Sequence, residues 1–121
     1  MANVYTQVGE EKVVDIVDGT VTAPANYYIG WGTGAGTAAK ADTTLFTEAA
    51  ETRVVGTETQ PTADKNQWVG TLTCAGAGKT ITNAGLFDAI TAGVLIVHGD
   101  FTGIVLAVGD KVEFTISLEQ T

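Results

Sequence analysis

The C-terminal stretch constrains the fold most. From Lys111 to Glu119, Val112, Phe114, Ile116 and Leu118 alternate strictly with Lys111, Glu113, Thr115, Ser117 and Glu119. A period of two places all the apolar side chains on one side of an extended strand and all the polar ones on the other. Such a strand needs a second apolar surface to cover it. The rest of the chain supplies strand-forming residues. Val, Ile and Thr recur throughout, whereas Ser117 is the sole serine. β-Branched side chains are stiff at χ1 and suit a pleated surface.

Further strands follow from the same reading. Val4, Thr6 and Val8 line one face of an extended N-terminal segment. Lys12 to Val17 reads as a strand, and Asp18-Gly19 after it reads as a hairpin turn, with Thr20 to Ala25 returning antiparallel. Tyr27 to Trp31 is a short aromatic strand. Residues 30–44 hold alternating glycines and then alanines, a composition expected of a long flexible loop or extended ribbon. Asp42 to Ala50 reads as a short helix or an ordered loop, with Asp42 or Thr44 as N-cap. Arg53 to Thr59 and Gln67 to Ala75 are strands around a turn at 60–65. Thr80 to Phe87 follows, with a bulge expected at Asn83-Ala84-Gly85. Val94 to Phe101 and Ile104 to Leu106 read as two strands broken by turn residues.

Strands at this spacing predict an all-β, single-domain antiparallel β-sandwich or barrel, Ig-like or jelly-roll-like, over residues 1–121. Residues 1–10 are expected to form an extended arm, and 30–44 the Gly/Ala-rich loop. The N-terminus lacks a basic region and an apolar core, so it does not read as a signal peptide. No apolar run is long enough to span a bilayer as a helix.

Six Lys and Arg against 14 Asp and Glu give a net charge of −8. Sequence-independent nucleic-acid binding needs clustered cations, so neither nucleic acid nor a membrane is an expected partner. One cysteine and one histidine exclude an internal disulfide framework and a Cys- or His-rich metal centre. Cys74 reads as a small buried hydrophobe.

Motifs that resemble catalytic signatures fail on context. Gly78-Lys79-Thr80 ends like a phosphate-binding loop, but Thr73 stands where the earlier glycine belongs and a strand follows. Gly34-Ala35-Gly36-Thr37-Ala38-Ala39 lacks the strand and helix that flank a dinucleotide fingerprint. His98 has Asp100 two residues on, placed to orient it, but no nucleophile elbow accompanies them. The scattered carboxylates read as a solvated surface rather than an acid–base pair or a calcium loop. No catalytic, cofactor-binding or metal-binding residue is expected, and the chain does not read as an enzyme. Val4, Tyr5, Tyr27, Tyr28, Trp31 and Trp68 are the candidate interface residues, although the aromatics serve equally well as a sandwich core.

Three stretches carry a family resemblance. The first is Tyr28-Ile29-Gly30-Trp31-Gly32-Thr33-Gly34, followed by Ala41-Asp42-Thr43-Thr44-Leu45, Glu48 and Arg53. The second is Thr80 to Ala89, around Gly85-Leu86-Phe87-Asp88. The third is Ile104 to Leu106 with Gly109 to Thr115. Together they resemble small structural proteins of tailed bacteriophages across residues 27–119. Asn83 departs from the resemblance, standing where an acid is usual. The resemblance implies a virion protein made in the host cytoplasm, most like a capsid decoration (cement) protein. Such a protein would bind the major capsid protein on the outer capsid surface, as a homotrimer. The alternative that the resemblance implies is a tail, neck or fibre component of the virion, with host-surface binding through the aromatics as an option. Extended segments such as residues 1–10 would then add a strand to a neighbour's sheet.

Overall fold

The computed structural model describes residues 2–119; Met1, Gln120 and Thr121, at the ends of the expected arm and domain, lie outside the described residues. The chain runs β1 (Ala2–Tyr5), α1 (Gln7–Asp18), β2 (Tyr28–Gly32), β3 (Val54–Val55), β4 (Thr57–Thr62), β5 (Lys65–Thr73), β6 (Lys79–Phe87), β7 (Leu95–Leu106) and β8 (Lys111–Glu119). One sheet has the order β1-β7-β6-β2-β3 and the other β4-β5-β8. Every pairing is antiparallel. The all-β sandwich expected from the sequence is therefore present, with one helix added.

The core lies between the two sheets. Ile29, Trp31, Ile81, Leu86 and Val97 from the larger sheet meet Trp68, Leu72 and Ile116 from the smaller one. The alternation of β8 is realised as read, since Ile116 is buried and Val112, Phe114 and Leu118 pack against the same cluster. Phe114 stands edge-on to Trp31, with ring centroids 6.2 Å apart. Cys74 is buried, as expected.

Several local expectations are corrected. Residues 2–10, the described part of the expected arm, are not extended away from the domain. β1 pairs with β7 of its own chain, Tyr5 opposite Val97 and Val4 opposite His98. The run read as a strand at 12–17 lies inside α1. Its β-branched pairs mimic a strand, but Val13 and Ile16 stand one helical turn apart and face the sandwich. Asp18-Gly19 ends this helix rather than turning a hairpin. Gly19 adopts φ 83° and its N–H bonds the Ile16 carbonyl, a left-handed C-cap. Thr20 to Ala25 forms no returning strand. Leu95–Leu106 form one strand, not two. Register shifts fall between Ile81 and Asn83, beside the expected bulge, and between Leu86 and Phe87.

The β1–α1 junction hangs on Thr6, which is completely buried. Its Oγ1 donates to the Leu95 carbonyl at 2.6 Å and accepts from the Gly9 N–H at 3.0 Å. One hydroxyl thus caps the helix and satisfies a strand carbonyl at an irregular point of β7. Gly9 lets the helix cross β7 closely, since a Cβ there would lie 2.7 Å from Ile96 Cα. Thr6→Ala removes a cap worth about 0.5–2 kcal/mol and strands buried partners at about 1–3 kcal/mol. Thr6→Ser keeps the hydroxyl and loses roughly one methyl's worth of burial, about 1 kcal/mol. Urea unfolding of both variants checks this; equal losses would show that the hydroxyl contributes nothing.

Candidate interface

The six candidate residues separate in space. Trp31 and Trp68 are buried, at 1% and 3% exposure, and present no surface to a partner. Val4, Tyr5, Tyr27 and Tyr28 are half-buried. Tyr5 and Tyr27 pack against the core cluster. Register puts Val4 opposite His98, and Tyr28 between Val55 and Phe87. The structure brings Tyr27 and Trp68 together, with ring centroids 5.3 Å apart. Tyr27 borders a cleft of about 200 Å³ whose walls include Val13, Ile16, Leu118, Glu58 and Asn66. Burial pushes the Tyr27 phenol above its ordinary range, and the Glu58 carboxylate adds to the shift.

Residues that the expectation passed over form the tightest polar cluster. The segment between β2 and β3, residues 33–53, is strapped over the outer face of the larger sheet. It contains no helix at Asp42 to Ala50, so the ordered-loop reading of that stretch holds. Gly30 and Gly32, read as part of a flexible loop, belong to β2. Thr33 N–H bonds the Thr47 carbonyl, Gly34 N–H the Phe46 carbonyl, and Ala49 N–H the Trp31 carbonyl. Gly32 permits this approach, because a Cβ there would come within 2.5 Å of the Phe46 carbonyl oxygen. Leu45 fills a second small core with Phe87 and Leu95 beneath the strap.

Asn83, buried on β6, clamps the strap from below. Its Oδ1 accepts from the Phe46 N–H at 3.0 Å and its Nδ2 donates to the Phe46 carbonyl at 3.1 Å. A backbone donor and a backbone acceptor together leave only one orientation for the amide. His98 Nε2 lies 3.0 Å from that same Oδ1, so Nε2 carries a proton and donates. Nδ1 lies 2.7 Å from Asp42 Oδ2. An imidazole lone pair facing a carboxylate oxygen at that distance would be repulsive, so a proton lies between them. Asp42 Oδ2 also accepts from the Ala39 N–H at 2.8 Å. Asp42 on the strap, rather than Asp100 on the same strand, therefore orients His98. Both ring nitrogens are engaged and the ring is wholly buried.

Two charged anchors complete the strap. Arg53 forms a bidentate pair with Glu48, at 2.7 and 2.8 Å, and donates to the carbonyls of Ala89 and Ala92. Its guanidinium carbon lies 3.4 Å from the Phe87 ring centroid. Glu51 accepts from the Trp31 indole and the Ala75 N–H, each at 3.0 Å, and from Lys79. Burial alone would raise the Glu51 carboxyl, but the bonds from Ala75, Lys79 and Trp31 outweigh it and hold it down at about 2. No group of three or more His, Cys, Asp or Glu placed to hold a metal ion occurs among the described residues. No helix among them is long and apolar enough to cross a membrane.

Residues 5–119 match the family described as Podophage GP4 fiber I protein gp80. The chain belongs to this family. No curated protein matches it. It is thus a phage virion structural protein, and the family fits the expected tail or fibre component better than a capsid decoration protein. Gly30, Gly32, Glu48 and Arg53, which carried the resemblance, lie where the strap is seated, whereas Asn83, which departs from it, clamps the strap from below.

Two outcomes test the strap. Asp42→Ala leaves the buried Nδ1 of His98 without its hydrogen-bond partner and is expected to cost about 1–3 kcal/mol in urea unfolding; a cost near that of a surface substitution would remove the cluster's structural role. The lowered carboxyl of Glu51 stabilises the fold fully above its ordinary value of 4.5, and that contribution is lost as pH falls towards about 2. Glu51→Gln should flatten the fall in thermal midpoint across that window relative to wild type. An unchanged slope would place the acid sensitivity elsewhere.

Proposed function

We propose that this chain is a structural subunit of the podophage tail fibre, acting by assembly with itself and with other virion proteins and not by catalysis. The match of residues 5–119 to the fibre family carries this reading. The chemistry of the side chains supports it. The single histidine is sealed beneath the strap with both nitrogens occupied, and Cys74 is buried. Lys12, Lys40, Arg53 and Lys79 are engaged in ion pairs within the chain. The outward surface is consequently dominated by acids, a poor match for nucleic acid or an anionic membrane. Contact surface is left in the half-buried Tyr27 beside its cleft and in exposed Val14 and Val17 of α1.

Separation of purified virions into DNA-filled heads and tail structures, followed by quantitative mass spectrometry, tests the assignment. The chain is expected in the fibre-bearing tail fraction at a fixed ratio to other tail proteins. Recovery with tailless heads, at a fixed ratio to the major capsid protein, would replace the fibre reading with capsid decoration.

A further inference from the structure

The free strand edges of the two sheets are not equally protected. In the smaller sheet, edge strand β4 carries Glu58 and Pro61, and β8 carries Lys111, Glu113 and Glu119. Charges and proline on an edge discourage pairing with another chain. In the larger sheet, β3 has 2 residues. At the opposite edge, β1 covers β7 only from Val97 to Asp100. Beyond Asp100, β7 passes a register shift at Phe101 to Gly103 and pairs with β6 from Ile104 to Leu106, and among the described residues no strand is registered against its other side. This stretch has none of the protective devices of the other edges, apart from the register shift at its start. No charged residue occurs between Asp100 and Asp110. Val105 is 80% exposed, Ile104 40%, and Val108 in the following turn 59%.

We propose that this β7 edge is an assembly surface whose occupant is a second copy of the chain, its own β7 edge laid antiparallel alongside. Charge argues for self-pairing. Two chains of net charge −8 repel, and the uncharged segment 101–109 lets them meet without placing like charges in contact. Shape argues for it as well. Val105 lies opposite Thr80 in the ladder. Gly103 shares that face, since a Cβ there would come within 2.8 Å of Thr80 Cγ2. A two-fold axis at Ile104 sets each Val105 across from Gly103 of the second copy, a knob against a gap in both directions. The ladder joins the two larger sheets into one continuous sheet and fills the notch beyond β1. This inference does not depend on the fibre assignment, because it rests on the edge alone.

Analytical ultracentrifugation of the full chain and of Val105→Lys tests it. Wild type is expected to sediment with the mass of two chains. The two-fold axis would bring a lysine from each copy together on one sheet face, so association should weaken by at least about tenfold. The side chain at 105 is mostly in solvent, so the circular-dichroism spectrum and thermal midpoint of the monomer should stay as in wild type. Hydrogen exchange gives a second readout, with amides of 101–106 slowed in concentrated wild type and not in the variant. A wild type that remains a single chain at high concentration, or a Val105→Lys chain that associates as wild type does, would overturn the proposal.

Discussion

The Asn83 amide holds together the parts of the molecule that the β-ladders do not. Its two polar atoms match the N–H and C=O of Phe46, and its oxygen also receives the His98 ring. With both backbone groups of Phe46 satisfied, the strap can lie on a sheet face without leaving buried polar atoms unpaired. None of the described buried side-chain nitrogen and oxygen atoms lacks a partner. The second small core of Leu45, Phe87 and Leu95 follows from that docking, as does the seat of Arg53 over Phe87. The strap therefore acts as a third layer on the sandwich.

Helix α1 closes the arrangement from another side. Gln7 N–H bonds the Lys40 carbonyl of the strap, Lys40 pairs with Glu10, and Lys12 pairs with Asp88 in the loop before β7. Thr6 and Gly9 fix where the helix crosses β7. The first and middle thirds of the chain are thereby tied to one another through contacts remote in sequence. Fixing such long-range contacts costs chain entropy, which the two cores and the ion pairs offset. For a fibre-family virion protein the consequence is rigidity, with the tryptophans and most cations used internally. What remains for contact with other chains is strand edge, helix valines and an acidic surface.

Much of the sheet structure was legible in the sequence, and the reason is local. The alternation of β8 and the existence of β5 and β6 follow from a period of two and from β-branched residues, properties of the residues themselves. The virion role was also visible, in the glycines and polar residues that recur in phage structural proteins. The helix was misread because β-branched residues at 13–17 satisfy both periods over so short a window. Its deciding signals, Thr6 as cap and Gly9 against Ile96, involve a strand roughly ninety residues later in the chain. Tyr27, Tyr28, Trp31 and Trp68 were expected at an interface for their aromatic character, which does not distinguish a core from a contact surface.

By itself, the sequence determined an acidic, antiparallel β protein without cationic or multi-histidine chemistry, because charge balance and strand period are additive properties of residues. The tertiary structure alone decided that residues 2–18 fold back on their own sheet, that His98 answers to Asp42 rather than Asp100, and that, among the described residues, no strand covers the β7 edge beyond Asp100. Each of these depends on which segments meet in space. That is settled by matching every buried donor with an acceptor across the whole chain, a condition no local pattern encodes.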